Sequence, residues 1–174
     1  MDLKKKYEEG CYLIDCRNYM GALKIFNEIL KEDSKDYYAL NKMGVSYAKM
    51  GSIEEAQKCF IKAIEINNAY GPSLVNMGNI RMENNDRQSA IEYYKEAIEK
   101  DQENYLAYYN LAAVYKRDGN YNEYIKSIKK YKRFYKNYIN HKELNALSST
   151  NKNRVYLTAG GMAALIILLV AIFS

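Results

Sequence analysis

A chain of 174 residues with 48% hydrophobic side chains, nine Gly, one Pro and no Trp holds enough apolar material for a packed core and few turn formers. That composition excludes disorder throughout and favours helix over a turn-rich β fold. The net charge of +5 is uneven: residues 1–115 carry 15 basic and 18 acidic side chains, residues 116–174 carry 11 and three. Three Cys (Cys11, Cys16, Cys59) without a CxxC pair, and one His (His141), give little material for a disulfide framework, a His-based metal site or a Ser/His pair. The expectation is a non-enzymatic chain in a reducing compartment, with no cofactor, metal site or catalytic residue.

In chain order, a period of 34 residues dominates. LNKMGVSYAKMGSIEEAQKCFIKAI from Leu40 aligns without a gap on LVNMGNIRMENNDRQSAIEYYKEAI from Leu74, and the same phase gives four units, 3–36, 37–70, 71–104 and 105–138. The eighth residue of each unit is Gly10, Gly44, Gly78 and Ala112, the twentieth Ala22, Ala56, Ala90 and Tyr124, and the twenty-fourth Phe26, Phe60, Tyr94 and Ile128. Two antiparallel helices per unit can approach where the eighth and twentieth residues are small. The large twenty-fourth residue is then expected to fill the space between one hairpin and the next. Gly51 with Ser52 and Glu55 predicts a helix stop followed by a capping box, and Gly119, Asn120 and Glu123 predict a stop with an Asn cap. No unit buries its apolar face alone, so stacking makes the core.

These residues resemble the tetratricopeptide repeat, whose small residues at positions 8, 20 and 27 and aromatics at 11 and 24 are matched best by units two (Leu40, Met43, Gly44, Tyr47, Ala56, Phe60, Ala63) and three (Leu74, Met77, Gly78, Ala90, Tyr94, Ala97). The resemblance implies an all-α solenoid of helix-turn-helix repeats. Departures are present. Arg81 stands where an aromatic is usual, and Ser34, Asn68, Gln102 and Lys136 replace the terminal Pro. Lys6 and Glu9 take apolar positions in unit one, and Tyr124 and Tyr131 take small positions in unit four. The last substitution predicts looser packing there.

The resemblance also implies a concave groove lined by the first helix of each repeat. Carried over by position, it holds Tyr38, Lys42, Val45 and Lys49, then Val75, Asn76, Asn79 and Glu83, then Tyr109, Asn110, Ala113, Lys116 and Arg117. Asn76 and Asn110 are equivalent, and an Asn amide can both donate to and accept from a peptide backbone, so they are expected to grip a protein or peptide segment while Tyr38 and Tyr109 take its side chains. Of the residues with which related domains clamp a terminal carboxylate, only Asn76 is present in the better register, so that ligand is not expected.

The basic, Tyr-rich stretch 124–138 has three readings: a solvated capping helix, a membrane-surface helix, or a nucleic-acid patch. Its neighbourhood favours the first two. A basic and polar linker is expected over 139–154. From Val155 to Phe173 the chain is uncharged (VYLTAGGMAALIILLVAIF), which at 1.5 Å per residue spans roughly 28 Å, near the hydrocarbon thickness of a bilayer. A transmembrane helix is expected, and with only Ser174 after it, a tail anchor. Lys152 and Arg154 would sit at the membrane surface and hold the repeats on the cytoplasmic side. Ala159 with Ala163 and Gly160 with Ala164 offer a homodimer face.

The sequence therefore reads as a membrane-anchored scaffold or adaptor that holds a partner protein at the cytoplasmic face, with a bacterial plasma membrane favoured over an organelle. The alternatives are a structural subunit of a membrane complex, or an organelle-shaping protein whose architecture is similar to the mitochondrial fission receptor.

Overall fold

A computed structural model describes residues 2–145. All of the regular structure among them is helix: α1 (Leu3–Asp15), α2 (Tyr19–Glu32), α3 (Tyr37–Lys49), α4 (Ile53–Ile66), α5 (Gly71–Glu83), α6 (Arg87–Lys100), α7 (Tyr105–Arg117), and α8 over residues 121–145. Residues 139–145, expected to be linker, thus continue α8. The apolar stretch 155–173, with Lys152 and Arg154, lies outside the described residues. Among those described, no helix is long and apolar enough to cross a membrane.

The turn inside each hairpin is the same device four times. Arg17, Gly51, Asn85 and Gly119 take left-handed backbone, with φ of 60°, 82°, 59° and 72°. The next residue's N–H then reaches back to close the preceding helix. Asn18 donates to the Leu13 carbonyl, Ser52 to Tyr47, Asp86 to Arg81 and Asn120 to Tyr115, at 2.8–3.0 Å. This is the Schellman closure, which satisfies carbonyls a helix end leaves open. Asn18, Asp86 and Asn120 also cap the following helix, accepting from the N–H of Gly21, Ser89 and Glu123. Ser52 makes no side-chain cap bond, so the expected capping box does not form.

Between hairpins, Asp33, Asn67 and Asp101 each accept through their side chain from the N–H two residues on, at 2.9–3.1 Å. Such Asx turns bend the chain without proline. In the first three units they stand where the repeat pattern carries its terminal Pro; in the fourth, Lys136 lies inside α8.

In the first three repeats the ring at position 24 does both of two jobs. It fills the space toward the next hairpin, as expected, and it also lies on the glycine of its own repeat. A Cβ on Gly10 would meet Phe26 Cζ at 2.6 Å, on Gly44 Phe60 Cε1 at 2.5 Å, and on Gly78 Tyr94 Cε1 at 2.4 Å. What joins successive hairpins is the next first helix. Ala39 and Met43 of α3 pack on Ala22 and Phe26, Met77 and Ile80 of α5 on Ala56 and Phe60, and Ala107, Leu111 and Val114 of α7 on Ala90 and Tyr94. Lys6, at an apolar position of α1, is buried but bound: its Nζ lies 2.6 Å from Glu32 Oε1 and 3.9 Å from Glu28 Oε2.

The chain divides into Met1–Lys132 and the residues from Arg133 on. In the first unit, α1, α3, α5 and α7 approach one another in succession, whereas α2, α4 and α6 do not. The stack therefore curves with the first helices inside. In the second unit, Tyr135 stacks on Tyr138 with centroids 6.4 Å apart.

Candidate protein-binding surface

The inner face belongs to α3, α5 and α7, so the residues placed there by position can be followed one by one. Lys49, Glu83, Tyr109, Ala113, Lys116 and Arg117 are exposed, and Tyr38, Lys42, Val45, Asn76, Asn79 and Asn110 are half-buried. Val75 departs from expectation: it is 5% exposed and belongs to the core with Leu74, Ala90 and Tyr94. Val45 is partly drawn inward too, against Met77 and Ile80.

The asparagines also bond to one another across the stack, a contact the sequence did not suggest. Asn76 Nδ2 donates to Asn41 Oδ1 at 3.0 Å, and Ser73 Oγ donates to the same oxygen at 3.1 Å. One repeat later, Asn110 Nδ2 donates to Asn79 Oδ1 at 2.8 Å, which also accepts from the Tyr94 hydroxyl at 2.8 Å. Each amide is thus a rivet between neighbouring first helices. The sequence hides this because Asn41, at 4% exposure, occupies a position where a polar residue reads as groove.

Tyr38 is likewise occupied. Its ring meets Tyr7 edge-on at 5.1 Å and Tyr70 at 6.5 Å, while Tyr70 also packs on Tyr37 at 4.9 Å. The Tyr38 hydroxyl lies 3.6 Å from Cys11 Sγ, and the Tyr7 hydroxyl donates to the Asp36 carboxylate. Burial, with the Cys11 contact, pushes the Tyr38 phenol well above its ordinary range, and burial takes Tyr70 up to about 12. Both are therefore neutral near pH 7. Lys42 Nζ sits 5.1 Å over the Tyr38 ring, a cation–π contact. This end presents a fixed aromatic and cationic surface.

Tyr109 is different. Half its surface is exposed, its ring lies 5.2 Å from Tyr131, and it lines a cleft of ≈ 490 Å³ with Ala112, Ala113, Lys116, Arg117, Tyr124 and Ile128. In the preceding repeats the residues equivalent to Tyr124 are fully buried alanines. The bulk of Tyr124 and Tyr131 is the signal in the sequence that α7 and α8 leave a gap, although the cleft itself was not foreseen. A second cleft, across α5 and α6, is lined by Arg81, Asp86, Ser89, Glu92, Tyr93 and Glu96. Hydrogen bonds from Ser89, with weaker attraction from Arg81, hold Asp86 below the usual carboxylate range. Among the described residues no group of three or more His, Cys, Asp or Glu side chains is placed to hold a metal ion.

Comparison with known proteins identifies the repeats. Residues 37–70 match a family model described as tetratricopeptide repeat, and residues 78–119 a second described as TPR repeat. The TPR repeat-containing protein MJ1428 of Methanocaldococcus jannaschii is 33% identical over 116 residues, covering 63% of this chain and 19% of that one. Hsp70-Hsp90 organizing protein 1 of Glycine max is 27% identical over 97 residues, covering 56% of this chain and 17% of that one. The matched region is thus under a fifth of either relative's length. Among solved structures, MamA superposes with a TM-score of 0.64 at 18% identity, covering 80% of this chain and 81% of that one. The Sgt2 TPR domain of Aspergillus fumigatus gives 0.61 at 19%, covering 69% and 81%. At these identities the structures speak for the fold. The two matched segments are tetratricopeptide repeats, and the described residues share their all-α solenoid fold.

Proposed function

We propose that this chain is a non-enzymatic scaffold whose repeat domain binds a partner protein on the inner face of α3, α5 and α7, and whose apolar segment 155–173 anchors it in a membrane with the repeats at the cytoplasmic face. The observation carrying the binding half is that Lys49, Glu83, Tyr109, Ala113, Lys116 and Arg117 stand exposed on three successive first helices. Hsp70-Hsp90 organizing protein 1 and the Sgt2 TPR domain lend support as repeat-bearing relatives in fold or sequence. The anchoring half rests on the uncharged length of 155–173 and on Lys152 and Arg154 beside it. Confinement to a membrane plane would raise the partner's effective concentration.

The test uses the full chain in nanodiscs to capture proteins from lysate, beside a Lys49→Glu/Tyr109→Ala variant. Both substituted side chains are exposed, and circular dichroism checks that parent and variant are equally helical. A partner held by the parent and lost by the variant supports the groove; identical capture by both refutes it. Flotation with liposomes tests the anchor. The parent chain should float and a Leu165→Arg/Leu168→Arg chain should sediment. A parent chain that sediments ends that half of the proposal.

A further inference from the structure

The two ends of the repeat stack are unlike. At the α1 end, the positions that would face a preceding hairpin carry Lys5, Glu8, Glu9 and Tyr12, all exposed, a polar surface that closes a solenoid. At the α7–α8 end the corresponding surface is the cleft floored by Tyr109, Ala112, Ala113, Tyr124 and Ile128. In every earlier repeat the equivalent surface is covered by the next first helix, through residues four and then three apart: Ala39 and Met43; Ser73, Met77 and Ile80; Ala107, Leu111 and Val114. The cleft is the same stacking position with nothing among residues 2–132 seated in it.

Its charge is distinctive too. Lys116 and Arg117 rim the cleft, and no carboxylate lines it. The nearest acidic side chains in sequence are engaged elsewhere: Asp118 with Arg87 at 3.0 Å and Glu123 with Lys126 at 2.6 Å. Ser73 and Asn76, early in α5, meet Asn41, early in α3, so successive first helices run in the same direction. A helix seated after α7 would bring its C-terminal turn to Lys116 and Arg117.

We propose that this cleft takes an amphipathic helix of a partner protein. That helix carries a small residue, a Met or Leu four positions on, a branched aliphatic three beyond, and a carboxylate in its last turn. The assignment rests on the reading of the chain as a protein-binding scaffold and specifies where and what it binds. Residues 71–83 of this chain (GPSLVNMGNIRME) hold Ser73, Met77, Ile80 and Glu83 at those spacings and so supply a probe.

The experiment titrates the full chain, in detergent micelles, into a fluorescein-labelled 71–83 peptide stapled on the face away from those four residues, followed by anisotropy. Saturable one-to-one binding is expected. Ala113→Arg and Lys116→Glu/Arg117→Glu, all at exposed positions, should each weaken it by about tenfold or more, roughly 1.4 kcal/mol. A Glu83→Lys peptide should regain affinity for the charge-reversed chain. Absence of binding, or binding indifferent to all three changes, overturns the proposal. A photo-crosslinker at Ala113 that joins residues 146–174 or a second copy of the chain overturns the partner assignment. Lysate capture that survives both cleft variants refutes the cleft and leaves the scaffold standing; no capture even by the parent chain removes the scaffold as well.

Discussion

Arg17 shows what a single residue costs in a repeated turn. Its backbone adopts the left-handed conformation that Gly51 and Gly119 adopt at the equivalent positions, and for a side chain with a Cβ that costs roughly 1–2 kcal/mol. Arg17→Gly should relieve about 1 kcal/mol after the extra freedom of the unfolded glycine is subtracted, raising the melting temperature by about 2–4 °C. An unchanged or lower melting point would mean that Arg17 makes compensating contacts. Gly44 behaves oppositely: its φ is ordinary, but Phe60 Cε1 lies 2.5 Å from where a Cβ would go. Gly44→Ala must displace a fully buried ring and should cost about 1–3 kcal/mol by overpacking, measured by urea unfolding. The cysteines divide in the same way. Burial raises the Cys59 thiol, so at pH 8 iodoacetamide should label Cys59 well after the exposed Cys16. Equal rates in peptide mapping would contradict that burial.

At the scale of helices, polar contacts decide which elements meet. Removing the Asn41 side chain would leave the buried Ser73 hydroxyl and the Asn76 amide without their shared acceptor, so Asn41→Ala should cost about 1–3 kcal/mol. A cost near zero would make these bonds incidental to stacking. The α1–α2 hairpin is tied by Lys6 and Glu32, and its pH dependence has a definite sign. The hydrogen bond to Lys6 lowers Glu32, and the same bond raises Lys6. Stability from Glu32 is complete above the ordinary carboxylate range and lost as pH falls through its lowered value. Stability from Lys6 is complete below its usual 10.5 and lost as pH rises through its raised value. Glu32→Gln should therefore lower the neutral plateau slightly and flatten both limbs of the stability curve. Retention of both slopes would assign them to other groups.

Across the molecule, a solenoid distributes stability by nearest neighbours. α3 to α6 have a hairpin packed on each side, whereas α7 borders an open cleft beside Tyr124. Hydrogen exchange should thus be slowest in α3–α6 and faster in α7. Uniform exchange over all hairpins would indicate one cooperative unit instead.

Much of this was legible in the sequence because it is local. The 34-residue period, the glycines that end α3 and α7, and the alanines at the crossing of two helices reflect steric rules acting within a turn or a hairpin, and those rules depend on residue type alone. The tyrosines at small-residue positions likewise announced a looser last hairpin. The destination of each side chain was decided only by tertiary structure. The asparagines rivet neighbouring helices, and Val75 joins the core. Whether an amide faces a ligand or another amide depends on the curvature and register of the stack, which only the packing of all its hairpins together fixes.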